Sequence, residues 1–353
     1  MDTPELHSDL ARARLGDWLT ERTHSHVPLT VGGVTKPKSG FSAETAIIEV
    51  VGGQVPTKMV VRREVPDPAV YPQQVPGMTI EIDIQYRAMS ELTTRGTVPL
   101  APLIGYEADA DLLGAPFFVM GFVDGDVPTE SPPYTESGFF VEAQPAQRRQ
   151  LIDAGLAQVA AIHALAPGST FDWLRPVDQP AGTDQQLALW RRFTEAELRG
   201  RDFPLLSETF DWLHDNLPTE ERVGLCWGDA RPGNIIWREF APACLTDFEA
   251  VSFGSPMQDL GWWLMFDRTM HPDGSRLPGD PTVDEQVAMY EAHAGRAATD
   301  IGFHTVFAAA RYSTIVIRVM NRLVDRGDLP ADQTIWLNNP AATALAELRA
   351  ELT

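Results

Sequence analysis

The chain is short of several things, and each shortage narrows what it can be. It holds two cysteines, Cys226 and Cys244, among 353 residues. That reads as two small buried residues in a reducing cytoplasm, not as a disulfide or a cysteine metal site. It is short of basic charge: 28 Lys and Arg stand against 49 Asp and Glu, a formal net charge of −21. Phosphate backbones need a basic surface, so a nucleic-acid partner is not expected. A cationic small molecule stays open, although acidic surfaces also simply keep proteins in solution. No apolar run approaches the roughly 20 residues that span a bilayer. The start, MDTPELHSDLARARLGDWL, carries acids early and no apolar core of a leader, so no secretory signal and no membrane partner are expected. Repeats and low-complexity tracts are absent. What remains is a chain of ordinary composition, long for one compact domain and comfortable for two lobes sharing a cleft.

The most informative stretch runs WGDARPGN, from Trp227 to Asn234, followed by LTDFE, from Leu245 to Glu249. It supplies Asp229, an asparagine five residues later and Asp247 thirteen residues after that. Apolar segments flank these residues, VGLCW before and IIW and ACL within. The pattern predicts a short strand, a loop, a hairpin, and an aspartate at the end of the hairpin's second strand. Phosphoryl transfer from a nucleotide needs such a set. One carboxylate accepts the proton of the attacking hydroxyl, while an amide oxygen and a second carboxylate hold a divalent cation against the phosphates. Two loops with Asp and Gly in ordinary turns would also contain some of these residues. The ordered set, with its hairpin between, is much rarer.

These residues resemble the aminoglycoside phosphotransferase-like superfamily, small-molecule kinases whose usual motif is H-G-D-x-x-x-x-N followed by I-D-[WF]-[ED]. The likeness extends to LGAPFFVMGFVDGD (Leu113 to Asp126), to LAQVAAIHAL (Leu156 to Leu165) and to GSPMQDLGWW (Gly254 to Trp263). The tail, with RLPGDPTVDEQVAMYEAHAGR and FAAARYSTIVIRVMNR, is similar to the branch holding the kinase domains of acyl-CoA dehydrogenases 10 and 11 and actinobacterial proteins of the aminoglycoside phosphotransferase type. The resemblance implies an α+β, bilobal, protein-kinase-like fold. A smaller N-lobe with an antiparallel sheet is expected over 1–120, and a mainly helical C-lobe over 121–353.

It also implies roles. Asp229 accepts or orients the hydroxyl proton, Arg231 stabilises transferring charge, and Asn234 and Asp247 hold Mg²⁺. The loop KSGFSAET lies where a nucleotide-covering loop belongs, with Ser39, Gly40 and Ser42 as phosphate donors. On the strand TKMVVRREV, Lys58, Val60 and Arg62 share one face and Met59, Val61 and Arg63 the other. The resemblance gives phosphate pairing to Arg62, with Lys58 as the fallback. The next helix, expected from Glu81 to Thr94, departs from the family. Gln85 stands where a glutamate usually orients that cation, so either Glu81, one turn earlier, substitutes or the ion pair is absent. Met120, Gly121 and Val123 are expected along the adenine edge, through backbone groups of the last two. Trp227 replaces the usual histidine, and Asp259 resembles the buried aspartate that braces the catalytic loop.

Other residues read as structure. His163, on an apolar helical face with Leu156 and Val159, is expected in the core. Trp262 and Trp263 are expected there too. HPDGSRLPGDP reads as a loop bordering the pocket and as the best candidate for a mobile segment. The expected reaction is transfer of the γ-phosphoryl of ATP, with GTP as the alternative, to a hydroxyl of a small substrate in the cytoplasm. Two acceptor classes compete. An aminoglycoside calls on carboxylates such as Glu195, Glu197, Asp284, Glu285 and Glu291. A hydroxyacyl thioester or hydroxy acid calls on Arg311, Arg318 and Arg322, which lie near one helical face. A degenerate kinase fold that binds nucleotide without catalysis is the third reading, opposed by the intact Asp229, Asn234 and Asp247.

Overall fold

The computed structural model describes residues 5–36, 43–67, 69–78, 80–166, 168–177 and 179–352. The expected phosphate-loop residues Ser39, Gly40 and Ser42 lie outside the described residues.

The first unit comprises Met1–Ala69 and Thr79–Asp124. It opens with helix α1 (Asp9–Arg22), capped by the Ser8 side chain on the Ala11 amide. Strands β1 (Thr30–Thr35), β2 (Glu44–Val51) and β3 (Lys58–Arg63) follow, then α2 (Glu81–Arg95), β4 (Leu103–Glu107), the single turn α3 (Ala110–Leu113) and β5 (Phe117–Gly121). The strands form one antiparallel sheet in the order β1-β2-β3-β5-β4. Alternation along β3 places Met59 and Val61 in a core with Leu15, Trp18 and Leu19 of α1 and with Phe117 and Val119 of β5. Arg63 follows on that face. Its guanidinium pairs with Glu44 and donates to the Leu113 carbonyl. Helix α1 covers this face of the sheet, while β3 is buried on its other face too, at Val60 and Arg62.

The second unit comprises Val70–Met78 and Gly125–Thr353. The division differs from lobes drawn at 1–120 and 121–353 in two places. The first unit runs on to Asp124, and the segment Val70–Met78 between β3 and α2 packs with the second unit. The reason is local: Tyr71 sets its ring edge-on to Trp190, with centroids 6.5 Å apart, and the Gln74 side chain accepts from Gln186 at 2.8 Å. The unit is mainly helical: α4 (Phe139–Glu142), α5 (Pro145–His163), α6 (Thr183–Leu198) and α7 (Pro204–Asp215) precede the strands. Then come β6 (Gly224–Cys226), β7 (Ile235–Arg238), β8 (Ala241–Leu245) and β9 (Ser252–Gly254). Helices α8 (Met257–Met270), α9 (Val283–Ala294), α10 (Ile301–Arg326) and α11 (Pro340–Ala350) complete it. Strand β6 pairs with β9, and β7 with β8, both antiparallel. The core joins Trp190, Trp262, Phe266, Phe307 and Ile317 across α6, α8 and α10.

The loop from His271 to Asp280, expected to be mobile, is tied shut. His271 Nε2 meets Asp280 Oδ2 at 2.6 Å, and Arg276 pairs with Asp267 of α8. Gln286 of α9 donates to the same Asp267 carboxylate at 2.9 Å. Turn residues predicted the loop, but its anchors come from two helices. No described helix is long and apolar enough to cross a membrane.

Candidate active site

The loop between β6 and β7 is shaped by Gly228, whose φ is +91°. A Cβ built there would lie 2.0 Å from the Ala250 carbonyl oxygen, so both the backbone conformation and the close approach require glycine. The peptide groups around it are held from two sides. Asp259, at the start of α8, accepts from the Trp227 amide at 2.6 Å and from the Gly228 amide at 2.8 Å. From α10, Arg311 donates to the Gly228 carbonyl at 3.0 Å. Asp259 is fully buried and its second support is His163 Nε2 at 3.0 Å, whose Nδ1 meets the Tyr290 hydroxyl at 2.8 Å. With Nε2 donating, Nδ1 accepts from the tyrosine, which fixes the tautomer by the network. His163 is thus a satisfied core histidine, and Asp259 braces the loop as the sequence suggests.

Held on that loop, Asp229 is 5% exposed. Its Oδ1 accepts from Trp262 Nε1 at 2.7 Å and from Arg231 Nε at 2.8 Å, and its Oδ2 accepts from the Tyr71 hydroxyl at 3.1 Å. Burial pushes the carboxyl up to about 6 against the bonds from Trp262 and Asn234, with the nearby Asp247 charge adding to the rise. A carboxylate raised toward neutrality is a better proton acceptor, provided that it stays ionised at the working pH. Tyr71 moves the opposite way in reactivity: burial, and then the Asp229 charge, hold its phenol well above the ordinary range, so it is a neutral donor. Arg231 is engaged by Glu130 as well as Asp229 and lies 5.0 Å over the Phe266 ring.

Asn234 and Asp247 are drawn to Asp229 by the hairpin. The Asn234 side-chain amide donates to the Asp229 carbonyl at 3.0 Å. Its backbone carbonyl accepts from both the Thr246 amide, at 2.9 Å, and the Thr246 hydroxyl, at 3.0 Å. Thr246 precedes Asp247, which adopts φ +55°, a left-handed conformation that a non-glycine residue keeps only where its surroundings impose it. Trp227 packs against this backbone. Its indole N–H is shared between the carbonyls of Thr246, at 3.0 Å, and Asp247, at 3.2 Å. Its ring stacks on Phe248, with centroids 5.7 Å apart. The tryptophan in place of histidine therefore supplies one N–H donor to the Asp247 segment. As a donor set the site suits Mg²⁺. Asp247 offers a hard carboxylate, and Asn234, its N–H spent on Asp229, offers an amide oxygen. A divalent cation there would also offset the Asp247 charge, which adds to the effect of burial on Asp229.

The remaining expected residues fall in the first unit. Arg62 is 8% exposed and stands in β3 between Thr45 of β2 and Phe118 of β5. Lys58, the fallback, is exposed at the strand's start, 5.6 Å over the Phe122 ring. Glu81 and Gln85 are both buried on α2. Met120 and Gly121 end β5, opposite Val60 and Met59, and Val123 follows two residues later.

The acceptor candidates are largely consumed by the fold. Glu197 receives Arg318 at 2.7 Å and Asn321 at 2.9 Å, Glu285 caps α9 and pairs with Arg149, and Glu291 accepts from the Ala298 amide. Glu195 pairs with Arg191 of its own helix. The arginine rim fares no better. Arg311 is buried between Trp190 and Trp262, at 4.9 and 4.7 Å from their centroids, where it holds the loop. Helical spacing grouped these arginines correctly but could not tell an inward face from an outward one.

Four residues at the site play roles that sequence reasoning missed. Tyr71 sits 158 positions from Asp229, in a proline-rich stretch without periodicity. Trp262 read as core, which it is, yet its N–H reaches the Asp229 carboxylate. Glu130 and Arg311 lie far from the motif. For Trp262 alone a clue existed: a buried indole N–H needs an acceptor.

Known proteins share this arrangement of elements. An acyl-CoA dehydrogenase family member 11 from Gallus gallus is 28% identical over 195 residues, which is 53% of this chain and 23% of that protein. The Mus musculus protein of the same name is 25% identical over 279 residues, 73% of this chain and 32% of its own. The chain thus spans about a quarter to a third of the length of these relatives. A solved structure from Ralstonia eutropha JMP134, provisionally assigned as an aminoglycoside phosphotransferase, superposes with a TM-score of 0.68 at 23% identity, covering 95% of each chain. The GDP and kanamycin complex of the aminoglycoside phosphotransferase APH(2")-IIIa superposes with a TM-score of 0.59 at 15% identity, covering 95% of this chain and 98% of that one. These likenesses establish the α+β kinase-like fold of the aminoglycoside phosphotransferases. The sequence profile of the phosphotransferase enzyme family matches residues 33–301, and the chain belongs to that family.

Proposed function

We propose that the protein is a small-molecule kinase that moves the γ-phosphoryl of ATP, or alternatively GTP, to a hydroxyl of its acceptor. The observation that carries this reading is the state of Asp229. It is buried, raised to about 6, filled with two N–H donors on Oδ1, and adjoined by the oxygen donors of Asn234 and Asp247. On this reading Oδ2 takes the proton of the acceptor hydroxyl as its oxygen attacks phosphorus. Asn234 and Asp247 hold Mg²⁺, which when bound neutralises charge on the phosphates. Arg62 pairs with phosphate oxygens from β3. Arg231 holds the Asp229 carboxylate in position and is itself held by Glu130.

The acceptor is a small hydroxylated molecule. Glu197, Glu285 and Glu291, expected to bind a polycation, serve internal bonds, and so do Arg311 and Arg318, expected to bind an acyl substrate, so neither set separates the two acceptor classes. A hydroxyacyl thioester or hydroxy acid is favoured over an aminoglycoside by the relatives named acyl-CoA dehydrogenase family members, over the part of them that matches. A test is nucleoside diphosphate release with Mg²⁺ and ATP or GTP against a panel of hydroxyacyl thioesters, hydroxy acids and kanamycin-type compounds. Turnover with a hydroxyacyl compound, lost in Asp229→Asn, is the expected result. Efficient turnover with the aminoglycosides alone refutes the acceptor reading, and failure to bind any nucleotide refutes the kinase reading.

A further inference from the structure

The Tyr71 contact has no counterpart in the set of residues assigned above. Among the described residues, Asp229 Oδ1 receives two donors, Trp262 and Arg231, whereas Oδ2 receives one, the Tyr71 hydroxyl at 3.1 Å. Oδ2 is therefore the oxygen open to a reacting group, and a hydroxyl already sits on it. Tyr71 is not there by accident of a loose loop. Its ring is set edge-on against Trp190, its neighbours Val70 and Pro72 are buried, and Gln74 is tied to Gln186 at 2.8 Å. The whole stretch Val70–Met78 departs from the first unit to pack with the second, and its placement does not depend on the Asp229 bond.

We propose that the Tyr71 hydroxyl is a stopper: without acceptor it occupies the place on Asp229 Oδ2 that an acceptor's hydroxyl takes during turnover, and so keeps water from being activated there. The inference rests on reading Asp229 as the proton acceptor of a kinase. A kinase that holds a nucleoside triphosphate beside an exposed base wastes it on water. In that side reaction the water oxygen bonds to the γ-phosphorus, and the bond to the β,γ-bridging oxygen breaks. Its electron pair leaves with the nucleoside diphosphate, and the water proton passes to Oδ2. A tyrosine hydroxyl on Oδ2 hinders it by taking one of that oxygen's lone pairs and the space beside it. The acceptor, brought by its own binding energy, displaces the phenol where a lone water does not. Tyr71 is accordingly a positioning residue, acting on the reaction through Asp229.

Tyr71→Phe tests this in the full chain. The ring against Trp190 remains, and a hydroxyl-sized space opens at a polar oxygen, the setting in which a water is retained. The probes are ATP and GTP with Mg²⁺ and no acceptor. Release of inorganic phosphate is measured for the wild type, Tyr71→Phe, Asp229→Asn and the double variant, and nucleotide binding is measured by calorimetry. Acceptor-independent hydrolysis is expected to rise about tenfold in Tyr71→Phe, a modest part of what a general base contributes, and to vanish in the double variant. A merely structural role does not produce such a gain. Normal nucleotide binding without the rise overturns the stopper and leaves the kinase reading standing, and a rise that survives Asp229→Asn overturns it as well. Failure of the wild type to bind either nucleotide removes the kinase reading, and the stopper with it.

Discussion

Replacing Asp229 by asparagine should make the protein more stable at neutral pH while removing its activity, and the two effects have separate physical origins. Burial raises the Asp229 carboxyl from its ordinary 3.8 to about 6. The folded state thus disfavours the charged form. Stability associated with this group is full below the unfolded value near 3.9 and is lost as pH rises through about 6. A carboxyl raised that far costs about 3 kcal/mol to hold ionised in the fold at pH 8. Asparagine carries no such charge. It keeps one oxygen for Trp262 and Arg231 and turns its amide toward Tyr71, whose hydroxyl can accept instead. Against the gain stands the weaker bond from Arg231, worth about 1 kcal/mol, since Glu130 still holds that guanidinium. The net expectation is about 1–2 kcal/mol of added stability at pH 8, measured without divalent metal by urea unfolding. Most of it should be gone by about pH 4, near the unfolded value. Turnover should fall about 10²- to 10⁴-fold, as for loss of a general base. Equal destabilisation at both pH values would refute the burial argument, and wild-type turnover would move the proton acceptor elsewhere.

Asp259→Ala leaves the amides of Trp227 and Gly228 and the His163 ring without their acceptor; a loss of about 3–5 kcal/mol is expected in urea unfolding, and less than about 1 kcal/mol contradicts the brace. Asp247→Ala should abolish metal-dependent turnover and Asn234→Ala should weaken it less, because a carboxylate and a neutral amide differ in charge; a Mg²⁺ titration in which Asp247→Ala keeps the wild-type dependence overturns the assignment. Arg62→Ala should raise the nucleotide KM and lower turnover more than Lys58→Ala does. Arg62→Lys should also fall short of wild type, since an ammonium cannot grip two phosphate oxygens as a guanidinium does. The reverse order would assign the role to Lys58.

Local order made much of this protein legible without coordinates. Asp229, Asn234 and Asp247 fall close together along the chain, on and around one hairpin, so their spacing in sequence is nearly their spacing in space. Alternation along β3 separated Met59 and Val61 from Arg62, because side chains on a strand change faces at every residue. The helix expected from Glu81 to Thr94 is observed from Glu81 to Arg95, and ends where Gly96 takes φ +62°. Asp259 and His163 were also placed correctly in kind, since a buried polar residue on an apolar face must find partners.

Tertiary packing decided the rest. Arg231 reaches the Asp229 carboxylate from two residues away, but its other donors come from Tyr71, 158 positions before it, and Trp262, 33 after it, and no local period links such distances. The arginines of α10 share a face by helical geometry, but whether that face meets solvent or Trp190 and Trp262 depends on helices folded elsewhere in the chain. Turn-forming residues marked His271 to Asp280 as a loop, while Asp267 and Gln286, on two separate helices, decided that it is pinned. The sequence determined which candidate groups lie together, because residues close along one hairpin are close in space. The tertiary structure determined what those groups are bonded to, because burial and long-range contact set how each carboxylate and each cation is spent.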